Sequence, residues 1–310
     1  MKKVLIFGAN GFAGNYLADE FLAHGYDVYG CSRNGRLTDG KFAGVYLCDL
    51  LDTERVKAVI CEVKPDYIIN MAGISSVGLS WKIPQLVVET NVTGPLNIIE
   101  AVYSNDIRAK ILFIGSAEEY AQQKRPIRED DPLGANNPYG VSKVMLERYC
   151  DLYRNSYRME VSYVRTFNHT GVGQMDTFVI PSWCKQVAEI EKSGKPGEMR
   201  VGNIEVQRDF SDVRDVARAY RMVLENGDPQ EIYNIGSGKS TSLRGILEHM
   251  ISLSSQEVTL NVQQELIRPL ENDYMCADCS KIEQAIGWKA EIDLKDTIQE
   301  MYEHYLKKKR

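Results

Sequence analysis

Tyr139 and Lys143 stand four residues apart in the stretch Pro138-Tyr-Gly-Val-Ser-Lys143. On a helix that spacing puts both side chains on one face. An ammonium beside a phenol favours the phenolate and so lowers the phenol pKa from about 10 towards working pH. Such a phenol exchanges a proton with a carbonyl or a hydroxyl. Ser116 follows the apolar run Ile111-Leu-Phe-Ile114 and offers a hydroxyl to the same substrate oxygen. These three side chains suit hydride chemistry at a carbonyl or hydroxyl-bearing carbon, if a nicotinamide reaches them.

Gly8-Ala-Asn-Gly11-Phe-Ala-Gly14 provides for that cofactor. Glycines at G-x-x-G-x-x-G spacing, between a strand and a helix, let the backbone turn sharply and approach a pyrophosphate. The helix N-terminus then offers free N–H groups and the positive end of its dipole. Gly8, Asn10, Gly11, Phe12, Ala13 and Gly14 are therefore candidate cofactor residues. The end of the second strand selects the dinucleotide: an acid there would bind the ribose hydroxyls of NAD. Ser32 and Arg33 stand there instead and suit a 2′-phosphate, so NADP(H) is preferred and NAD(H) is the alternative cofactor. Asp49, after the third strand, suits either the adenine amino group or a helix cap. Leu50, and Met71, Ala72 and Gly73 after the fourth strand, complete the expected cofactor lining, with Lys143 on the nicotinamide ribose.

The elements that must hold these residues follow from hydrophobic pattern. Apolar runs at Val4–Phe7, Asp27–Gly30, Val45–Leu47, Tyr67–Asn70, Ile111–Ile114 and Val161–Arg165 read as strands buried on both sides. Helical spacing covers Asn15–His24, Thr53–Val63, Val87–Ser104 and Tyr139–Tyr157. Alternation of the two predicts an α/β fold, a Rossmann-type doubly wound parallel sheet. Beyond Thr166 the pattern loosens. Helices are expected at Ile180–Lys192, Asp212–Asn226, Leu243–Ser252 and Leu294–Leu306, and a strand at Ile232–Ile235. The division is a dinucleotide-binding domain over 1–166 with returns near 205–237, and a smaller interleaved C-terminal substrate domain within 167–310.

Composition narrows the class. The chain has 310 residues, 44% hydrophobic and 26% charged, with a net charge of −6. That charge argues against a nucleic-acid partner. No apolar run approaches the roughly 20 residues of a membrane span, and the N-terminal apolar stretch is too short for a signal core. Seven scattered cysteines suit reduced thiols and a cytoplasmic location. Cys276 and Cys279 form a lone C-x-x-C with no second pair and no nearby histidine, so no metal is expected. Asn91 and Asn168 begin sequons without meaning in a cytosolic protein. Gly236-Ser-Gly238-Lys239-Ser240 imitates part of a phosphate loop, but Tyr233 stands where its first glycine belongs, and it reads as a strand-to-helix turn.

With these motifs in place the chain resembles the extended short-chain dehydrogenase/reductases over essentially its full length. Within them it is most similar to the GDP-4-keto-6-deoxy-D-mannose reductases. The stretches that carry the likeness are Gly115-Ser-Ala-Glu-Glu-Tyr120, Pro138–Lys143, Arg165-Thr-Phe-Asn-His-Thr-Gly-Val-Gly-Gln174, Val201-Gly-Asn203, Arg208-Asp-Phe-Ser-Asp-Val-Arg-Asp215 and Arg268-Pro-Leu-Glu271. The resemblance implies a catalytic triad of Ser116, Tyr139 and Lys143. It implies Asn168 and Arg208 on the sugar nucleotide, with Arg208 on the diphosphate and Arg268 adding a second charge-assisted contact. Phe178, Val179 and Asn203 would line the nucleotide pocket, and Ser75 and Ser76 would face the sugar. The implied reaction is NADPH-dependent reduction of the C4 ketone of GDP-4-keto-6-deoxy-D-mannose to GDP-D-rhamnose, in a homodimer joined by a four-helix bundle.

Glu118 keeps an alternative open, a GDP-mannose 4,6-dehydratase, because that lyase needs a base and an acid besides the tyrosine. A 4-epimerase of the same family is a close variant. A non-catalytic NADP-binding regulator is a third class, opposed by the intact Ser–Tyr–Lys set. The sequence departs from the family pattern at Asn70-Met-Ala-Gly73, at Ala121, and at Leu270 and Asn272, which leaves the triad intact and the exact sugar open.

Overall fold

The computed structural model describes residues 1–34, 40–267 and 272–308. Strands β1 (Lys3–Phe7), β2 (Asp27–Ser32), β3 (Gly44–Leu47), β4 (Tyr67–Asn70), β5 (Lys110–Ser116) and β6 (Val161–Thr166) alternate with six helices. These are α1 (Phe12–Ala23), α2 (Thr53–Val63), α3 (Val77–Ser80), α4 (Pro84–Val88), α5 (Gly94–Ser104) and α6 (Pro138–Tyr157). The chain continues through β7 (Asn168–Thr170), α7 (Val179–Ser193), β8 (Gly197–Val201), β9 (Gln207–Asp212), α8 (Val213–Asn226) and β10 (Ile232–Ile235). It ends with β11 (Ser240–Ser242), α9 (Leu243–Ile251), β12 (Val258–Val262), β13 (Tyr274–Met275), α10 (Ser280–Ile286) and α11 (Leu294–Lys307).

Seven strands form one parallel sheet in the order β10-β6-β5-β4-β1-β2-β3. Val4, Leu5, Ile6, Ile68, Ile69, Ile111 and Leu112 are fully buried, as the apolar runs required of strands covered on both faces. Burial of each such side chain stabilises the fold by about 1.5–3 kcal/mol. One layer packs α1 and α8 on the sheet around Leu17, Phe21, Val216 and Tyr220. The other packs α2, α5 and α6 around Val56, Ile60, Ile98 and Leu146. Strand order reverses between β1 and β4, which makes the C-terminal ends of those strands the place where such sheets bind ligands. Gly8, Asn70 and Ser116 all sit at that edge.

The helix expected over 87–104 is broken. α4 passes into a π turn over Glu89–Thr93 before α5 begins at Gly94-Pro95. Pro95 has no N–H and would clash with the carbonyl four residues back, and the wider turn accommodates it. Past Thr166 the hydrophobic pattern could not show the short strands. β9 is flanked by β11 and β13 and also pairs with β7, while β8 pairs with β12. α7, α9 and α11 enclose a separate core around Trp183, Met199, Leu247 and Met301. No helix among the described residues is long and apolar enough to cross a membrane.

Candidate active site

The glycine turn has the shape its spacing demanded. Gly8 has φ +79°, and a Cβ there would lie 2.7 Å from the Ala72 nitrogen, so a side chain is excluded on both counts. At Gly14 a Cβ would lie 2.5 Å from the Gly8 carbonyl oxygen, so the helix approaches the strand only without one. The Gly8 and Ala9 N–H groups donate to the Cys31 carbonyl, tying the turn to β2. α1 has no side-chain N-cap and no acid in its first turn. α2, α6, α8, α9 and α11 are all capped by Asp, Asn or Ser. The uncapped N–H groups of α1 thus face the position that suits a diphosphate.

At the end of β2, Ser32 is buried and its hydroxyl reaches the side-chain oxygen Oδ1 of Asn34, which also accepts from the Asn10 side-chain amide at 2.9 Å. Arg33 is exposed beside them, and positions 32–34 carry no carboxylate. Asp49 accepts from the Leu51 N–H at 3.0 Å, while the cap of α2 is Asp52. The helix-cap role left open for Asp49 therefore belongs to Asp52. Leu50 is buried, Met71 and Ala72 are half-buried, and Gly73 is exposed. The Met71 N–H donates to the Phe7 carbonyl, closing β1 against β4 under the turn. These residues make a cradle that fits a nicotinamide dinucleotide.

Ser116, Tyr139 and Lys143 come together at the end of β5. Asn137 caps α6 by accepting from the Gly140 N–H at 2.9 Å, and Pro138 opens the helix. Its amide nitrogen also donates to the Glu118 carboxylate at 2.8 Å. Ser116 accepts from the Glu118 N–H at 3.2 Å, and its hydroxyl neighbours the Tyr139 phenol closely enough to lower that phenol's pKa. Lys143 Nζ donates to the Ile114 carbonyl at 2.7 Å and lies 5.8 Å from the centre of the Tyr139 ring.

The electrostatics differ from the expected lowering of the phenol. Burial pushes the Tyr139 phenol well above its usual value, and the Ser116 hydrogen bond offsets only part of this. Burial also pushes Lys143 down to about 8. Desolvation dominates at Tyr139 because the phenol is buried, while Lys143 is half-buried beside it. A phenol so placed holds its proton until a stronger base, such as a developing alkoxide, takes it.

The expected substrate residues gather on the small sheet. Asn168 opens β7 opposite Phe210, and Arg208 lies two residues from Phe210 on the same face of β9. Ser116 pairs with Thr166, so Asn168 follows the triad's serine partner by two residues. Arg208 lies between Thr241 and Met275 on the flanking strands. Phe178 precedes α7 and Val179 begins it, both half-buried, and the Asn203 side chain accepts from the Glu205 N–H. Ser75 is exposed, whereas the Ser76 hydroxyl is engaged as the N-cap of α3. Arg268 lies outside the described residues. Phe12 stacks on His169 at 6.2 Å, and the Tyr16 hydroxyl donates to the Val172 carbonyl. The cofactor turn is thereby packed against the strand carrying Asn168.

A profile of the GDP-mannose 4,6 dehydratase family matches residues 5–301. The chain belongs to this family. GDP-6-deoxy-D-mannose reductase of Pseudomonas aeruginosa is 28% identical over 96% of this chain and 95% of its own. UDP-glucose 4-epimerase of Bacillus subtilis is 30% identical over 94% of each, and GDP-mannose 4,6-dehydratase of Yersinia enterocolitica is 26% identical over 97% and 93%. Among solved structures, RMD from Pseudomonas aeruginosa complexed with NADPH superposes with a TM-score of 0.87 at 28% identity, covering 99% of both chains. The GDP-mannose 4,6 dehydratase family thus accounts for the whole sheet and the small domain, and makes the chain an enzyme of the extended short-chain dehydrogenase/reductase type.

Three residues of this family member were not singled out from sequence. Asn91, dismissed there as a sequon, is buried in the π turn. It pairs with the Ile74 backbone through both amide atoms and donates to the Ser142 hydroxyl on α6 at 3.0 Å. A proline four residues on was the available signal of an irregular turn. Glu119 is fully buried behind Ser116; nothing in its local sequence separates it from Glu118. Asp209 fills the glycine turn at 236–238, accepting from the Ser237 N–H and hydroxyl and from the Gly238 and Ala277 N–H groups. The chain's own carboxylate occupies that nest, and the turn leads from β10 to β11 rather than directly into a helix.

Proposed function

We propose that this chain reduces the C4 ketone of GDP-4-keto-6-deoxy-D-mannose with NADPH, giving GDP-D-rhamnose. The observation that carries this reading is the convergence of Ser116, Tyr139 and Lys143 at the end of β5, with Lys143 Nζ on the Ile114 carbonyl and 5.8 Å from the centre of the Tyr139 ring. Full-length similarity to a GDP-6-deoxy-D-mannose reductase supports the substrate. NADPH, when bound, supplies the hydride. Ser116 donates to the ketone oxygen and holds it in place. Tyr139 gives its phenolic proton to that oxygen as negative charge develops. Lys143, fixed on the Ile114 carbonyl, offers its charge to the phenolate left behind. Ser32 and Arg33 take the 2′-phosphate, and NAD(H) is a weaker alternative. Asn168, Phe178, Val179, Asn203 and Arg208 bind the GDP-sugar, Arg268 adds a second charge-assisted contact, and Ser75 and Ser76 face the sugar.

Glu118 supports a second reading, a GDP-mannose 4,6-dehydratase. Glu118 follows Ser116 by two residues, and its carboxylate accepts from the Asn137 amide at 2.8 Å. Ala117 beside it supplies no further acid. Incubation with NADPH and the 4-keto sugar, and separately with GDP-mannose, each followed by mass spectrometry, separates the two. A gain of two hydrogens supports reduction. Loss of water from GDP-mannose without net cofactor consumption supports the lyase.

α6 leaves Val141, Met145, Tyr149 and Leu152 exposed along one face, with Tyr103 exposed on α5. Apolar stripes of this kind favour burial against another copy, and a homodimer through a four-helix bundle of α5 and α6 is the assembly proposed. All seven cysteines are free, which supports a reducing, cytoplasmic location.

A further inference from the structure

Glu119 is fully buried, yet the proposed reduction gives it no task. Its Oε1 accepts from the Ser116 backbone N–H at 2.6 Å and from the Tyr163 hydroxyl at 3.1 Å. Tyr163 lies on β6, and its single hydroxyl proton is shared between Glu119 Oε1 and the Lys143 backbone carbonyl, 2.9 Å away. One carboxyl oxygen therefore joins the strand end carrying Ser116 to the turn of α6 carrying Lys143. Space for this junction is provided by Gly115, where a Cβ would lie 2.4 Å from Glu119 Oε1 and 2.6 Å from the Tyr163 hydroxyl.

The one ion pair Glu119 makes among the described residues is long, to Arg165. Arg165 stands 4.0 Å from Oε2 but is committed to Glu147 through two bonds of 2.8 Å and to the Tyr120 hydroxyl. Oε2 has no hydrogen-bond partner among the described residues. Two carboxyls thus share the neighbourhood of one guanidinium, and Glu147 holds it. Burial and the Glu147 charge push Glu119 up to about 8, towards its neutral form. A buried group with one oxygen unsatisfied costs stability, and what it gains is placement of Ser116 and Lys143.

We propose that Glu119 is a positioning residue for the reduction, fixing the Ser116 amide directly and the Lys143 turn through Tyr163. It touches neither substrate nor cofactor, and its effect is on the distances among Ser116, Tyr139 and Lys143. This rests on the reductase reading only for the turnover arm of the test.

The test compares Glu119→Gln, Glu119→Met and Tyr163→Phe in turnover of the 4-keto sugar with NADPH, in NADPH affinity, and in exchange of the Ser116 amide proton by NMR. Glu119→Gln keeps an acceptor oxygen and matches the neutral acid, so kcat and Ser116 exchange should stay within about twofold of wild type. Glu119→Met keeps the bulk but not the acceptor. It should lower kcat by about 100-fold, the scale of an ångström of misplacement, with KM and NADPH affinity unchanged and Ser116 exchange faster. Tyr163→Phe keeps the ring and loses only the bridge, and should lower kcat by roughly tenfold with KM unchanged, which decides the matter if Glu119→Met does not fold. Wild-type kcat in both Glu119→Met and Tyr163→Phe overturns the proposal, as does a lowered melting temperature without loss of kcat, or an equal loss in Glu119→Gln. If the wild-type protein reduces none of the sugar, the reductase reading fails. Amide exchange needs no substrate and still decides the placement: faster exchange in Glu119→Met but not in Glu119→Gln supports it, and equal rates overturn it.

Discussion

Lys143 Nζ donates to the Ile114 carbonyl at 2.7 Å, so the lysine of α6 is anchored on the strand that delivers Ser116 two residues later. The bond fixes the spacing between strand and helix and satisfies an ammonium that burial disfavours. Burial sets its folded pKa at about 8, below the unfolded value of 10.5. The folded apo-protein therefore binds fewer protons than the unfolded chain between these values, and this contribution to stability grows as pH rises from about 8 to 10.5 and is lost as pH falls through 8. In Lys143→Met that contribution should vanish, which denaturant midpoints of both proteins across the window will reveal. Turnover of the variant should fall by about 100-fold or more, the scale of a lost acid–base partner.

Arg33 is exposed at the end of β2, next to a buried Ser32. If it holds the 2′-phosphate, Arg33→Ala should weaken NADPH by about 10-fold to 100-fold, the range of a lost hydrogen bond to a charged group. NADH, which lacks that phosphate, should lose far less. Fluorescence titration of both cofactors measures the ratio, and equal losses would remove Arg33 from this role.

Tyr149 is at the middle of the exposed stripe on α6, 38% accessible. Tyr149→Glu should place a charge in the proposed bundle and convert the dimer to a monomer in sedimentation velocity. A wild-type chain that sediments as a monomer would contradict the assembly.

The large sheet was legible because its central strands carry short apolar runs, and Thr53–Val63, Tyr67–Asn70 and Ile232–Ile235 match to the residue; the edge strand β3, expected to be buried on both sides, instead leaves Val45 and Leu47 exposed. The candidate catalytic residues were legible because their signal is local: Tyr139 and Lys143 share a helix face, and Ser116 ends a strand. The small sheets were not. β7, β11 and β13 are two or three residues long, too short for alternation to register. The tie from Asn91 to Ser142 spans 51 residues, and the one from Tyr163 to Glu119 spans 44. Pairings of that separation leave no periodic trace. The lowered phenol pKa expected from the Tyr–Lys spacing failed for a related reason. Spacing gives proximity of charge but not depth of burial, and here burial dominates.

The central claim is that Tyr139 protonates the carbon-bound oxygen that a nicotinamide hydride has just reduced. NADPH carrying deuterium at C4 of the nicotinamide, supplied with GDP-4-keto-6-deoxy-D-mannose, tests it most directly. The wild-type protein should give a GDP-6-deoxyhexose with deuterium at sugar C4, and Tyr139→Phe should bind NADPH normally while forming that product at least about 100-fold more slowly. Product without deuterium at C4, or labelled product formed at the wild-type rate by Tyr139→Phe, would contradict the account.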